Sequence, residues 1–377
     1  MDVYHKEAWA EINTDAIRNN LKTISKKLGD KVGICAVLKA DAYGHGIRGI
    51  RKCLSKCPHV TMVAVGKMSE LTTLSSQHYD DGIPTLLIGA ADPEEIESKL
   101  QNNSISAKDS IFTLYKTEWI DKLNSIGERL GVKIRIHVRL DRYDSGMGIS
   151  YDDYTRNEKK LFSSENLDVC GLYTHLYSSY SDDEQSIRAE LEYFKAFSDK
   201  IDPDYRKNLM VHALNSSLVF RFPEYAFDMV RVGSAMYGLA DKKDSDMQFA
   251  MKICARIFDV RDIEDDVPLS YESNCKRRGK RKIARIMLGY WDAPLIFTQK
   301  DVRVSINKRL FYPADEMCMD NLCIDITGAD DIKIGDIAVI LGEEGVSAYE
   351  ILDRNNISYV HGEWLCMTAG RLEKFYI

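Results

Sequence analysis

A lysine ends an apolar run near the start of the chain. The stretch "AVLKADAYGHG" (36–46) follows "KVGIC", so the apolar run 32–38 stops at Lys39, and a turn-rich segment with two glycines comes next. A lysine at the end of a strand can serve solubility alone. Since α/β enzymes place their reactive groups at the carboxyl ends of strands, this position also makes the Lys39 amine a candidate for chemistry.

Short apolar segments alternate with amphipathic helical segments over roughly the first 240 residues. The predicted strands are "VGICAVL", "VTMVAVG", "PTLLIGA", "SIFTLY", "KIRIHVRL", "DVCGLYTHL", "LMVHALN" and "DMVRVGS". The predicted helices are "TDAIRNNLKTISKKL", "DPEEIESKL", "KTEWIDKLNSIGERL" and "DEQSIRAELEYFKAFSDKI", with Thr14 and Asp92 as N-caps. Eight strands separated by helices predict a parallel sheet closed into a (β/α)8 barrel.

The texture of the chain changes near residue 244, where helical periodicity fades. Short strands separated by turns follow, in "KICARIFDVRDI", "KIARIMLGY", "DVRVSINKRLFY", "NLCIDIT" and "DIAVILG". This pattern predicts a C-terminal all-β domain. We therefore expect a barrel over residues 1–243 and a β domain over 244–377, with the first eleven residues or so as candidates to join the β domain.

Composition is that of a globular protein. The chain has 377 residues, 45% apolar and 29% charged, which suits about two domains. A net charge of −7 argues against nucleic acid as the partner. The basic run "KRRGKRK" (276–282) is therefore interpreted as a solvated hairpin turn around Gly279.

The cysteine content and the hydropathy of the chain indicate in which cellular compartment it resides. Nine cysteines are scattered without a CxxC pair, which is typical of a reducing compartment, and Cys318 and Cys323 are too isolated to predict a metal site. The N-terminal segment has no apolar signal core, and no run reaches the ~20 apolar residues of a membrane span. We expect a cytoplasmic chain without membrane contact, or the cytoplasmic module of a membrane-anchored parent.

Six segments, in family order, resemble the alanine racemases, which are fold-type III enzymes that use pyridoxal 5′-phosphate (PLP). They are "AVLKADAYGHG" (36–46), "HALNSS" (212–217), "FDMVRVGSAMYG" (227–238), "LSYES" (269–273), "LGYWDA" (288–293) and "MCMDNLCIDIT" (317–327). The resemblance covers nearly the whole chain. It implies the same barrel and β domain, and a head-to-tail homodimer in which the partner's β domain completes each active site.

The resemblance also implies a set of cofactor contacts. A lysine must form the Schiff base with PLP, and Lys39 matches it. The phosphate needs several hydrogen-bond donors, which glycine can bring close through the backbone. The matching residues are Tyr43 and Ser216 through their hydroxyls, Gly233 and Ser234 through the backbone, and Asn215 as a brace of that loop.

Arg231, in "MVRVG", matches the family arginine that bonds the pyridine nitrogen. Taken alone, a buried arginine is more often a structural ion-pair partner. Arginine does not give up its proton in a protein, so the ring nitrogen stays largely unprotonated and the cofactor is a weaker electron sink. This favours simple proton exchange at Cα over transamination.

Racemisation needs a base on each face of the carbanion. By resemblance Lys39 exchanges the D-proton, while Tyr271 of the neighbouring subunit serves the L face. A free tyrosine has a pKa of about 10 and needs help. The resemblance supplies it through His175, which contacts the tyrosine and is itself contacted by Arg231. Tyr290 and the backbone at Met319 are assigned to the substrate entry and the carboxylate pocket.

One departure from the family pattern lies in "HVRLDRYDSGMGIS" (137–150). The family has a lysine, often carbamylated, that orients an arginine bound to the substrate carboxylate. Here the lysine position is Arg139, the arginine position is Ile149, and residues 142–144 look inserted. Either Arg139 or Arg142 is then the candidate for the carboxylate, and the sequence does not choose between them.

A second departure is Gly370, where the family often has a tyrosine that touches phosphate and substrate. The missing side chain is expected to open space beside the Cα substituent. A roomier pocket would suit serine, or something larger, as well as alanine.

Three functions remain from the sequence. The first is a racemase of alanine, serine or both, supplying D-amino acids for peptidoglycan, with the serine racemases of glycopeptide (vancomycin) resistance as a variant. The second is a non-catalytic protein of PLP binding or homeostasis, which would lack the β domain and Tyr271. The third is a fold-type III decarboxylase, which would carry a glutamate in place of Arg231.

Overall fold

A computed structural model of the chain describes residues 6–77, 79–240, 246–264, 267–270, 279–297, 300–357 and 361–377. The chain divides into two compact units. One comprises Arg18–Ala42 and Ile47–Met247, and the other comprises Met1–Ile17, Tyr43–Gly46 and Gln248–Ile377.

The first unit is a closed parallel barrel, which confirms the fold predicted from the eight apolar segments. Each strand pairs with the next along the chain, and the last strand pairs with the first, Met229 opposite Gly33. A two-residue strand, Ile149–Ser150, also pairs with the fifth barrel strand. The barrel strands are Gly33–Val37, Val60–Val65, Thr85–Leu87, Ser110–Leu114, Ile134–Asp141, Leu167–Thr174, Met210–His212 and Met229–Val232.

The burial of these strands explains why they could be predicted from the sequence. All five residues of Ser110–Leu114 and all four of Met229–Val232 are buried. Strands of a parallel sheet covered by helices are buried on both faces, so they read as continuous apolar runs. Their carboxyl ends meet at one edge, and that edge carries the residues matched to the cofactor.

All four predicted helices are present. The helices before residue 240 are Thr14–Leu28, Ile47–Leu54, Met68–Ser75, Pro93–Gln101, Trp119–Leu130, Tyr151–Ser163, Glu184–Ser198 and Pro203–Arg206, with 3₁₀ turns Pro223–Tyr225 and Ser234–Tyr237. The cap at Asp92 is confirmed, since its carboxylate accepts from the Glu94 N–H at 2.9 Å. The cap at Thr14 is wrong: Asn13 accepts from the Ala16 N–H at 2.9 Å, while the Thr14 hydroxyl donates to the Ile377 carbonyl.

The second unit contains an eight-stranded, mostly antiparallel sheet. Ala8–Ile12 joins it, antiparallel to Met251–Ile263 and parallel to Lys374–Tyr376. The other strands are Arg281–Ile286, Val304–Ile306, Arg309–Pro313, Leu322–Asp325 and Ile337–Leu341. Periodicity did not predict the short helices of this unit, which are Pro294–Phe297, Ala348–Arg354 and His361–Cys366.

The described residues contain neither a membrane-spanning helix nor a cluster of metal-binding side chains. No described helix combines the length and the apolar character needed to cross a membrane. Among the same residues, no group of three or more His, Cys, Asp or Glu side chains is placed to hold a metal ion.

Candidate active site

Lys39 lies just after the first barrel strand, with Leu38 between them. Gly33–Val37 ends one residue before the buried Leu38, and the exposed Lys39 opens the turn Lys39–Tyr43. We call this segment the lysine turn. Tyr43 at its end is buried, with 8% of its surface exposed. The structure therefore puts the Lys39 amine at the carboxyl edge of the barrel, where solvent and small molecules can reach it.

Backbone donors converge on the Ser216 hydroxyl at the same edge. The N–H groups of Gly233 and Ala235 both donate to Ser216 Oγ, at 2.8 and 3.3 Å. These donors lie where the last barrel strand passes into the 3₁₀ turn Ser234–Tyr237. Because the oxygen accepts both bonds, its own proton can be donated outwards. The arrangement suits an anion such as a phosphate.

Asn215 braces the turn that carries Ser216. Its side-chain oxygen accepts from Ser217 N at 3.1 Å and from Ser217 Oγ at 2.6 Å. The backbone carbonyl of Asn215 accepts from the N–H groups of Leu218 and Val219, each at 3.1 Å. Ser216 is therefore held on a turn with little freedom to shift.

Arg231 is 5% exposed, and its guanidinium is bonded to neutral acceptors. Nη1 donates to His212 Nδ1 at 2.8 Å, and Nη2 donates to the carbonyls of Thr174 at 2.8 Å and Ala213 at 3.0 Å. In the described part of the chain no carboxylate pairs with it, so it is not the common structural ion-pair arginine. Burial lowers the pKa of Arg231 to about 10, which leaves it charged at neutral pH.

Two histidines that the sequence analysis did not assign continue from Arg231. His212 Nε2 lies 3.0 Å from His137 Nδ1, and both rings are buried. Arginine only donates, so His212 Nδ1 must accept and its Nε2–H must donate to His137. The chain Arg231–His212–His137 thus fixes one tautomer of each ring. Both histidines lie on barrel strands, at inward positions that strand alternation could have indicated.

His175 follows the strand Leu167–Thr174 and stands close to three cations. Loss of solvation beside the surrounding protein atoms, and then the charges of Arg231, Arg139 and Lys39, lower the pKa of His175 to about 3, although the residue is exposed. Arg231 acts on it through charge, because its hydrogen bonds in the described residues go elsewhere. At neutral pH His175 is therefore a neutral donor and acceptor.

Arg139 is half-buried on the strand Ile134–Asp141, at the barrel edge. Its Nη1 donates to Tyr115 Oη at 3.1 Å, and Tyr115 donates to the Ile88 carbonyl at 2.5 Å. The charge of Arg139 helps to lower the pKa of both His175 and Arg231. This arginine therefore stands among the candidate catalytic groups.

Arg142 turns away to a helix. It donates to the Ala189 carbonyl at 3.2 Å and lies 4.5 Å from the Tyr193 ring centroid, both in Glu184–Ser198. The loop around it folds on Asp141, whose carboxylate accepts from the N–H groups of residues 143, 145 and 147. Ile149, where the family has its arginine, is buried at 3% exposure and apolar.

Three predicted substrate-site residues, Tyr290, Met319 and Gly370, lie in the second unit. Tyr290 N donates to the Cys318 carbonyl and Trp291 N to the Met319 carbonyl, each at 3.2 Å, so these two loops are packed together. The side chains of Tyr290 and Met319 are 41% and 48% exposed. The predicted second base, Tyr271, lies outside the described residues.

Gly370 does not open a pocket, so that expectation is wrong. Its φ is +35°, a backbone angle that residues with a side chain rarely adopt. A Cβ built there would lie 2.4 Å from Asp292 O and 2.6 Å from Trp291 O. The space that a side chain would enter is filled by backbone. Glycine at this position is explained by close packing within the second unit, and it no longer argues for a larger substrate.

The buried histidines predict a dependence of stability on pH. Burial, with the charges of Arg135 and Arg231, lowers the pKa of His137 to about 3, whereas unfolded histidine titrates near 6.5. Below that value the unfolded chain binds a proton that the folded chain refuses, so the free energy of unfolding falls as pH falls. The slope is up to about 1.4 kcal/mol per pH unit for each such histidine.

Urea unfolding from about pH 7 down to about pH 5.5 measures this slope. His137→Gln keeps an acceptor for His212 and cannot titrate, so its stability should fall less steeply over that interval. Equal slopes for the two proteins would show that His137 is not protonated on unfolding in this range.

The donors at the barrel edge fit PLP. The Ser216 hydroxyl suits a phosphate, because the N–H groups of Gly233 and Ala235 hold its oxygen and leave its proton to be donated. The Gly233 N–H, predicted as a direct phosphate donor, is thus engaged by Ser216, and the predicted Ser234 begins the adjacent 3₁₀ turn. Arg231 keeps its proton and can donate an N–H to a ring nitrogen. A reactive amine, Lys39, opens onto the same edge. A neutral imidazole and a second guanidinium complete a site able to bind a carboxylate and to move a proton.

The chain is similar to known alanine racemases in both sequence and structure. Family models described as "Alanine racemase, N-terminal domain" and "Alanine racemase, C-terminal domain" match residues 12–241 and 250–376. An alanine racemase of Methanococcus maripaludis is 29% identical over 381 residues, covering 98% of each chain. The solved alanine racemase of Clostridium difficile 630 has a TM-score of 0.87 at 29% identity, covering 99% of this chain and 96% of that one.

A further solved structure concerns the cofactor. It is an alanine racemase from Bartonella henselae, described with covalently bound pyridoxal phosphate. Its TM-score is 0.82 at 22% identity, covering 99% of this chain and 100% of that one. At this identity the likeness concerns the fold.

Proposed function

Because the chain belongs to the alanine racemase family, we propose that it is a PLP-dependent racemase that interconverts the L- and D-forms of alanine, serine or both. The observation that carries this proposal is Arg231, buried at the barrel edge and bonded to neutral acceptors. A decarboxylase of this fold would have a carboxylate facing the ring nitrogen instead. The product would supply D-amino acids for peptidoglycan.

Residues of the barrel edge would hold the cofactor. The Ser216 hydroxyl and the backbone of Ser234 would bind its phosphate, beside Gly233, whose N–H holds the Ser216 oxygen, and Lys39 would reach its aldehyde. When bound, PLP withdraws electrons from the Cα of an attached amino acid. Arg231 keeps its own proton, so it restrains that withdrawal and directs the reaction towards returning a proton to Cα.

Two bases would then act at Cα. Lys39 takes or returns the proton on one face, and Tyr271 from a second copy of the chain does so on the other. His175 would support a deprotonated tyrosine by donating an N–H to its oxygen, and the pKa of about 3 means that His175 would stay neutral while doing so. Sites shared in this way make the homodimer the functional unit.

The discriminating experiment combines a visible spectrum with a chiral assay. Incubation with a panel of L-amino acids, followed by chiral chromatography, should show D-alanine or D-serine accumulating until the enantiomers are equal. PLP absorbance without turnover would favour a binding or homeostasis protein. Release of carbon dioxide would favour a decarboxylase.

We infer that Arg139, rather than Arg142, binds the substrate carboxylate. Arg139 acts on His175 and Arg231 through its charge, whereas Arg142 is stacked on Tyr193 away from them. A planar guanidinium suits a carboxylate. Tyr115 holds the Arg139 side chain in one direction through its hydroxyl.

Arg139→Ala is expected to lower kcat/KM for alanine by roughly 10- to 150-fold, the loss of one charge-assisted hydrogen bond. The loss should lie mainly in KM, since the carboxylate is bound before and during proton transfer. Arg142→Ala is the matched control and should change kcat/KM by no more than about threefold. A larger loss in Arg142→Ala than in Arg139→Ala would reverse the assignment.

A further inference from the structure

Four consecutive residues after Lys39 have left-handed backbone. Their φ angles are 54° at Ala40, 52° at Asp41, 56° at Ala42 and 53° at Tyr43. None is glycine, and L-residues disfavour this region because Cβ approaches the following carbonyl. A run of four such residues persists only where its surroundings hold it, and such strain collects at functional sites.

Glu70 is the side chain that holds the start of this run. Its Oε1 accepts from the Ala40 N–H at 2.6 Å, directly after the lysine. Its Oε2 accepts from the N–H groups of Gly66 at 2.8 Å and Lys67 at 3.1 Å. One carboxylate therefore ties the lysine turn to the end of the neighbouring strand.

Packing at the same point shows how closely the ends of the first three barrel strands approach one another. A Cβ added to Gly66 would lie 3.3 Å from Lys39 Cβ, so the lysine stem runs along that glycine. A Cβ added to Gly89 would lie 1.9 Å from the Gly66 carbonyl oxygen. The aliphatic part of the Lys39 side chain therefore packs against the backbone at Gly66, which Glu70 holds through the Gly66 N–H.

We propose that Glu70 is a positioning residue, which directs the Lys39 amine by clamping the backbone of the lysine turn. The inference rests on the proposed function for its consequence, the hold on PLP, and on the hydrogen bonds alone for the clamp itself. Glutamine at this position has one accepting oxygen and one donating nitrogen. It can serve Ala40 or the pair at residues 66 and 67, and not both.

The test is Glu70→Gln with two readouts other than turnover. Hydrogen–deuterium exchange of the peptide over residues 38–46 should accelerate by about tenfold or more, as a lost charge-assisted bond implies. Release of PLP into an excess of a carbonyl scavenger should accelerate by about the same factor.

Glu350→Gln is the matched control. Glu350 forms a similar capping box, accepting from Ser347 N at 3.0 Å and Ser347 Oγ at 2.6 Å on the helix Ala348–Arg354 in the other unit. Both variants should lose comparable thermal stability, and only Glu70→Gln should alter exchange at 38–46 and PLP release. If Glu70→Gln does not fold, Glu70→Asp, which keeps the charge on a shorter arm, should show the same two changes to a smaller degree.

The outcomes separate the two claims. A wild-type chain that takes up no PLP would refute the proposed function, while the exchange measurement still decides whether Glu70 clamps the turn. Binding of PLP by wild type, with Glu70→Gln matching Glu350→Gln in both exchange and PLP release, would overturn the positioning role.

Discussion

Replacing Lys39 by alanine is expected to abolish racemisation of both enantiomers. The proposed role of Lys39 is double, since it anchors PLP covalently and serves as the base on one face. Removal of a general base alone typically costs about 10²–10⁴-fold, and the loss of the anchor adds to that. The measurement is the chiral assay, together with borohydride reduction of the protein and mapping of the modified peptide.

Lys67→Ala is the control for this variant. Lys67 is also an exposed lysine, and it follows the strand Val60–Val65 next to the lysine strand, so it tests whether any strand-end lysine serves. Wild type and Lys67→Ala should carry reduced PLP on the peptide that contains residue 39. A reduced adduct on that same peptide in Lys39→Ala would show that another group binds the aldehyde.

The barrel could be predicted from the sequence because the burial of each strand determines the residue types of that short segment alone. A strand buried on both faces must be mostly apolar, and the sequences "SIFTLY" and "DMVRVGS" meet this requirement at most of their positions. The predicted bounds differ from those of the structure by up to three residues, because strand ends depend on pairing. Lys39 could be singled out on the same basis, as a charge where an apolar run stops.

The connections between strand ends could not be predicted. Glu70 and Ala40 are 30 residues apart, and His137 and His212 are 75 apart. Each side chain has several local uses, such as a helix cap or a place in the core, and only the register between barrel strands brings the partners together. Thr14 shows the same limit at short range, since both Asn13 and Thr14 are good caps and the Ile377 carbonyl engages the threonine.

Gly370 shows that a side chain missing relative to the family pattern does not by itself create a pocket. Comparison with the family pattern identified a missing side chain, but the consequence depended on the neighbouring backbone. The carbonyls of Trp291 and Asp292 fill the volume that a Cβ would take. The choice between alanine and serine therefore has to come from residues other than Gly370, near the substrate side chain.

Replacing Tyr271 by phenylalanine is expected to impair the two enantiomers unequally. If Tyr271 exchanges the proton of the L-enantiomer and Lys39 that of the D-enantiomer, Cα deuterium incorporation into L-alanine should fall by about 10²–10⁴-fold. Incorporation into D-alanine, which needs only Lys39, should fall far less. Equal and mild losses for both enantiomers would contradict the two-base model.

Tyr312→Phe is the control for a tyrosine in the second unit. Tyr312 is 50% exposed on the strand Arg309–Pro313, and no role at the site is proposed for it. Its variant should exchange both enantiomers at the wild-type rate. This comparison separates loss of a base from any general effect of removing a phenolic hydroxyl in this unit.

Mixed dimers test whether Tyr271 acts across subunits. Lys39→Ala and Tyr271→Phe homodimers should each be inactive in racemisation, because every site lacks one base. In a heterodimer of shared sites, one site combines the intact Lys39 of the Tyr271→Phe chain with the intact Tyr271 of the Lys39→Ala chain, and the other lacks both. Subunit exchange should therefore restore activity to about half of the wild-type level per heterodimer, as expected when a single competent site is regenerated.

If both bases came from one chain, no heterodimer could contain a complete site. Exchange verified by mass and without any recovery would then place Tyr271 within its own subunit's site or outside the reaction.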